Sequence, residues 1–365
     1  MSVTPLRIAV VGVGFGSTVQ IPGLQSEGLE VVAVCARRDE RAREAAERFA
    51  IPLVFIDFRQ LLALPELEAV SIVAPHALHH EMAIAALEAG KHVLCEKPFA
   101  VDAQRAAAMV DASRRYPELT AMVGHEFRWA PQRAFVKELL DDGYVGRLHH
   151  VVASVQIGQP GTSLLPAPSP DLGLRSALLW AIGSHYLDAF RHWFGDITTV
   201  SACMTTQFPE RRRPDGVVVR TEADDSFAVT VEFARGGWGS LIASVAAPFG
   251  SGTTIDKYGS EGRLSTPQPM PLAANPPPDG RVYGANGDTP DLGELPVPST
   301  FRPFDDDRDH RLMAFRLMVR EFLRGIQEHR SPAPNFEDGY RLQLVLDGAV
   351  ESSTTGRAIS LPGAP

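Results

Sequence analysis

The chain has 365 residues, long for one domain and comfortable for two. With 44% hydrophobic and 22% charged residues, its composition is that of an ordinary soluble globular protein. A formal net charge of −9 argues against nucleic acid or an anionic membrane as the main partner.

In chain order, Leu6 to Val11 is a continuous apolar run, which suits a strand buried on both faces. A helix is expected from about Thr18 to Ser26, a strand over Glu30 to Cys35, and an Ala/Glu/Arg-rich helix over Arg37 to Phe49. A short strand at Leu53 to Phe55, a helix from Phe58 to Leu64 and a buried strand from Ala69 to Ala74 follow. His79 to Ala89 reads as a helix closed by Gly90, a residue suited to the left-handed end. Val93 to Cys95 is a short apolar strand, Val101 to Arg114 a helix and Thr120 to Gly124 a strand. Such alternation predicts a parallel, doubly wound sheet through the first 125 or so residues.

The rhythm then changes. After a helix at Pro131 to Leu140, strands are expected at Leu148 to Val155, Thr198 to Thr205, Ser226 to Phe233, Gly239 to Ala246 and Thr253 to Tyr258. Their pattern is antiparallel, and it predicts a second α+β domain; the expected division is 1–127 and 128–365. Two Pro/Gly-rich segments, Gly158 to Gly173 and Pro267 to Pro303, read as long loops, which inside a domain are usually functional or mobile. Helices near Leu312 to His329 and Glu337 to Thr355 end the chain.

Cys35, Cys95 and Cys203 are scattered without metal-ligand spacing, so no disulfide framework and a reducing compartment are expected. Met1 to Pro5 leads straight into a strand without a signal-peptide pattern, and the apolar runs are too short to span a bilayer. These features together point to the cytoplasm. The aspartates between Asp305 and Asp309 read as a charged helix entry, and no metal site is expected.

Gly12-Val13-Gly14-Phe15-Gly16-Ser17 directly follows the first strand. Gly12 permits a tight turn, Gly14 lets the backbone approach a pyrophosphate, and the following helix N-terminus offers free N–H groups. Ser17 holds the third fingerprint position, with Gly16 one residue early; Phe15 lies between. At the end of the second strand, where an acid would bond the ribose of NAD, the chain reads Val34-Cys35-Ala36-Arg37-Arg38. Ala36 removes a repulsion and Arg37 or Arg38 can pair with a 2′-phosphate, so the pattern favours NADP over NAD. Further along, Glu96-Lys97-Pro98 places a lysine between a carboxylate and a proline at a strand end, and the proline restricts the lysine backbone to extended geometry. Beside a phosphate-type turn, such a lysine reads as an active-site group.

These residues resemble the Gfo/Idh/MocA oxidoreductase family. The likeness is carried by Ala74-Pro75-His76-Ala77-Leu78-His79, by Ala86 to Pro98, by Arg128-Trp129-Ala130-Pro131, by Gly183-Ser184-His185-Tyr186-Leu187-Asp188, and by Asp338-Gly339-Tyr340-Arg341 through Gly356-Arg357. It implies an N-terminal Rossmann domain, then an α+β domain with a large, mostly antiparallel open sheet through which copies pair as a homodimer or homotetramer. It also implies hydride transfer between NAD(P) and a secondary alcohol or ketone of a sugar, cyclitol or related polyol. In that reading Lys97 bonds the reacting oxygen and His185 is the general acid/base, while Glu96 orients Lys97 or touches the cofactor. Pro75 and His79 belong to the cofactor loop and helix start, His79 equally to cap packing; His125 and Arg128 would line the substrate side, Arg128 equally as a domain-bridging ion pair. The family's acid four residues before the histidine is replaced by Ala181, leaving Asp171, Asp188 or a loop residue as substitutes, and Trp180 would add apolar or stacking surface to the substrate wall. Two other functions share these motifs: an NAD-dependent glycosidase or lyase working by transient oxidation, and a cofactor-binding regulator without catalysis.

Overall fold

The apolar run at the N-terminus alternates between two cores, because successive strand side chains point to opposite faces. The computed structural model describes residues 5–163, 177–213, 216–268 and 280–363. In strand β1 (Arg7–Val11), Ile8 and Val10 enter one apolar cluster while Ala9 and Val11 enter the other. The chain forms two units, 1–129 with 304–343, and 130–303 with 344–365.

The first unit winds α1 (Ile21–Ser26), β2 (Glu30–Cys35), α2 (Asp39–Phe49), β3 (Leu53–Phe55), α3 (Phe58–Leu62), β4 (Ala69–Ile72), α4 (His79–Glu88), β5 (His92–Glu96), α5 (Ala103–Arg115) and β6 (Ala121–Gly124). All its strand pairs are parallel, in the order β3-β2-β1-β4-β5-β6, the doubly wound arrangement the alternation predicts. Helix starts follow the side chains that cap them: Asp57 accepts from the amides of Arg59 (2.7 Å) and Gln60 (3.3 Å), and Asp102 from that of Arg105 (2.8 Å). One face of the sheet is completed from the far end of the chain. The helix Leu312–Gln327 buries Leu312, Phe315, Met318, Val319 and Phe322 against Ile8, Val10, Ile21 and Leu24. A linear division at 127/128 leaves that helix out. The acidic run before it is a set of ion pairs: Asp306 bonds Arg308 and Arg316, and Asp309 bonds Arg311.

In the second unit, α6 (Pro131–Asp141) precedes β7 (Leu148–Gln156) and α7 (Ser184–Phe194). Then come β8 (Ile197–Thr205), β9 (Glu210–Arg212), β10 (Val218–Arg220), β11 (Ser226–Phe233), β12 (Trp238–Ser244), β13 (Gly252–Gly259), β14 (Gly262–Gln268), β15 (Val282–Asn286), β16 (Gly293–Leu295) and β17 (Ile359–Ser360). Nine of these strands form one mixed sheet, β16-β15-β14-β13-β7-β12-β11-β8-β17, in which only β7 and β12 pair in parallel. Two of them, β15 and β16, lie inside the segment expected to be a loop. Gly284 made that stretch look loop-like, yet it is the close approach of the Tyr144 hydroxyl, 2.5 Å from where a Cβ would stand, that requires glycine within the strand. On the outer face His150 stacks between Trp238 (5.0 Å) and Tyr258 (4.7 Å), beside exposed Ile242. Cys35 and Cys95 are buried as small hydrophobes. Among the described residues no helix is long and apolar enough to cross a membrane, and no cluster of His, Cys, Asp and Glu suits a metal ion.

Candidate active site

β1 runs into the turn Gly12 to Ser17. Gly12 has φ +104°, and a Cβ there would lie 2.4 Å from the Val73 carbonyl oxygen, so conformation and space both require glycine. A Cβ on Gly14 would meet no atom within 4 Å. Nothing in the packing of the protein demands glycine at that position, whereas a pyrophosphate laid against the backbone would. Gly16 supplies the close helix–strand contact, its missing Cβ being 3.2 Å from Val10 Cγ1. The amide of Ile21 reaches back to the Gly16 carbonyl, making Gly16–Gln20 a wide π-helical turn that accommodates a glycine one residue ahead of Ser17. The turn therefore fits a dinucleotide. At the end of β2, Arg37 and Arg38 are exposed, and among the described residues neither makes an ion pair.

β5 ends in buried Glu96, followed by half-buried Lys97 and a cis Lys97–Pro98 peptide. The Lys97 amide donates to Glu96 Oε2 (3.0 Å), and Gln20 Nε2 donates to Glu96 Oε1 (2.6 Å). Burial and, after it, the neighbouring Glu126 push the Glu96 carboxyl up to about 8. Pro75 opens a single 3-10 turn, His76–Leu78. His79 is buried, with Nε2 2.8 Å from the Ala74 carbonyl oxygen and Nδ1 3.0 Å from that of Pro98. Burial lowers its pKa, and both nitrogens face main chain, so His79 ties the Ala74 loop to the lysine turn. His125 and Arg128 are buried after β6; Arg128 lies 3.8 Å from Asp338 within the same unit, so this ion pair is not a bridge between units.

Three neighbours escape sequence reading. Gln20 and Ser71 are polar residues on otherwise buried faces, which was their only signal. Arg311 has none: it comes from the distant return segment, held by Asp309 at 2.8 and 2.7 Å, with its guanidinium 5.0 Å over the Phe15 ring of the glycine turn.

In the second unit, the π-helical turn Leu179–Gly183 leads into α7, and His185 lies in the first turn of α7, mostly buried. Its carbonyl accepts from Arg133 Nη1 (3.5 Å), and that guanidinium sits 5.0 Å over the Tyr186 ring. The turn is anchored by Asp224, whose Oδ2 accepts from the Leu179 amide (3.0 Å) and whose carboxyl burial pushes up to about 7. Asp225 beside it is bridged by Arg211 at 3.1 Å. Trp180, expected to add apolar or stacking surface to the substrate wall, is buried at 1% exposure. Asp188 is buried too, while Asp171 lies outside the described residues, as do Leu174 to Ser176.

A doubly wound sheet with a phosphate-fitting turn and an oriented lysine at a strand end, accompanied by an open mixed sheet, defines a dinucleotide-dependent oxidoreductase of two units. The chain belongs to the Gfo/Idh/MocA family: residues 6–125 match the oxidoreductase family, NAD-binding Rossmann fold, and residues 134–265 the GFO/IDH/MocA C-terminal domain. It is 28% identical to levoglucosan dehydrogenase of Pseudarthrobacter phenanthrenivorans over 88% of this chain and 87% of that protein. To D-glucoside 3-dehydrogenase of Escherichia coli it is 26% identical over 99% of both chains. A solved levoglucosan dehydrogenase in complex with NADH and L-sorbose shares the fold, with a TM-score of 0.85 at 23% identity over 98% of this chain and 99% of that one.

Proposed function

We propose that this oxidoreductase moves a hydride between NAD(P) and a secondary alcohol or ketone on a sugar, cyclitol or related cyclic polyol. The observation that carries the reading is Lys97, fixed through its backbone by buried Glu96 and linked through Gln20 to a turn whose Gly14 protein packing alone does not explain. The named relatives act on carbohydrates, which supports the substrate class. Gly12, Gly14, Phe15, Gly16 and Ser17 would hold the dinucleotide, with Pro75 beneath it. Bound there, the nicotinamide supplies or accepts the hydride. Lys97 places positive charge at the reacting oxygen as it gains alkoxide character. His185 moves the hydroxyl proton, the role for which an imidazole is suited near neutral pH. His125 and Arg128 complete the substrate side of the first unit.

The unpaired Arg37 and Arg38 support NADP as the preferred form. The exposed Trp238 and Ile242 beside the His150 stack support pairing of two copies through the open sheet, and a reducing cytoplasm suits the free thiols. The test is a nicotinamide-absorbance screen of anhydrosugars, glucosides, inositols and their keto forms with both cofactors. Turnover that depends on Lys97 is expected. No absorbance change with any of them, or turnover untouched in Lys97→Ala, would sink the reading.

A further inference from the structure

Gln20 is fully buried at the end of the π-helical turn that starts from the dinucleotide loop. A primary amide has a donor end and an acceptor end, and both are used here. Ser71 Oγ donates to Gln20 Oε1, which fixes which way the amide points. Gln20 Nε2 then donates to Glu96 Oε1 at 2.6 Å, and Glu96 Oε2 accepts the Lys97 amide at 3.0 Å. Gly124 leaves the carboxyl its room, because a Cβ there would stand 2.9 Å from Glu96 Oε1. A buried, fully used chain of this kind passes a shift at one end to the other, since each member has one arrangement that satisfies its neighbours.

We propose that Gln20 is a positioning residue that couples the seating of a dinucleotide on the Gly12 to Ser17 turn to the placement of Lys97, through Glu96. This rests on the dinucleotide reading above and assigns the means by which the two ends of that site act together. Cys95, Lys97, Glu126 and Arg311 are the titratable groups facing Glu96. Donation from Gln20 favours the ionised carboxylate, so its loss moves the Glu96 titration to higher pH.

The test uses the whole chain and NADH or NADPH, whichever binds the wild type. Hydrogen exchange over residues 93–99, with and without dinucleotide, reads the Lys97 amide; fluorescence titration from pH 6 to 10 reads affinity. In the wild type, dinucleotide is expected to slow exchange of this segment, with an inflection in affinity where Glu96 titrates. Gln20→Met should keep affinity within about threefold at high pH, lose the added protection by about tenfold in rate, and move the inflection upward. Glu96→Gln should abolish the inflection. Gln20→Leu, which also removes the donor without adding a titratable group, gives the same pattern if Gln20→Met folds poorly. Undiminished protection and an unmoved inflection in the Gln20 variants, with the wild type binding normally, overturn the coupling alone. A wild type that binds neither dinucleotide overturns both it and the reading beneath it.

Discussion

Around Lys97, Gln20, Ser71, Glu96 and His79 of the first unit hold hydrogen-bond partners, whereas two buried residues of the second unit each leave a polar atom without one among the described residues. Glu96, Gln20, Ser71 and His79 all have hydrogen-bond partners, several of them main chain. In the second unit, Trp180 Nε1 and Asp224 Oδ1 are buried with none among the described residues, at about 1–3 kcal/mol each. Lys257 is also fully buried there, 5.0 Å from the Trp193 ring of α7. The difference reflects what each end must recognise. A dinucleotide turn is built from backbone, and backbone geometry leaves little freedom. The turn into α7 is specified by side chains, which backbone geometry constrains less.

Four experiments press on that contrast, the largest effect first. Lys97→Ala should lower kcat/KM by about 10²–10³-fold with dinucleotide affinity nearly unchanged, and His185→Asn should cost about 10²-fold and flatten the pH–rate profile; steady-state kinetics across pH checks both. Gly14→Val and Gly12→Ala should separate binding from folding. The first weakens dinucleotide affinity about tenfold or more at an unchanged Tm, while the second lowers stability by about 1–3 kcal/mol, as calorimetry with titration would show. Arg37→Ala and Arg38→Ala should each reduce the NADP/NAD preference by up to about tenfold, one unit of 1.4 kcal/mol. If the ratio does not move in either variant, the NADP assignment is wrong.

The smallest effect concerns the second core. Burial drives the Lys257 pKa well below its ordinary 10.5. A lysine depressed in the folded state costs stability, fully at pH below its folded pKa and progressively less as pH rises towards 10.5. Lys257→Met should therefore raise stability at neutral pH by about 1–2 kcal/mol, with the gain shrinking at alkaline pH. Lys257 Nζ donates to the Ile255 carbonyl (3.0 Å) and Thr266 Oγ1 (2.7 Å), and without it Thr266 Oγ1 still donates to that carbonyl at 3.2 Å. A lower Tm for Lys257→Met would show that the ammonium earns its place there.

Much of the first unit was legible, because a period-two apolar strand, a glycine turn and a capped helix are local statements. Strand Ser226–Phe233 and the helix beginning at Leu312 fall where the pattern puts them. The parallel β7–β12 pair was not legible, since pairing direction is a long-range fact that alternation does not encode. Nor were β15 and β16, where Gly and Pro look like loop punctuation; Tyr144 explains Gly284 alone. Among site groups, Lys97 and the glycines announce themselves by neighbours in sequence. Gln20 and Arg311 do not, because their partners lie 76 residues away in one case and across the whole second unit in the other.

The helix Leu312–Gln327 gives the order of events at the ribosome a definite shape. Its apolar side chains close a core whose other wall, Ile8, Val10, Ile21 and Leu24, is synthesised first. During translation the nascent Rossmann sheet must wait, one flank bare, until nearly all of the rest of the polypeptide has been made. At about 5–20 residues per second, the roughly 200 residues from the end of β6 to Gln327 take about 10–40 seconds, in which chaperones have an apolar surface to hold.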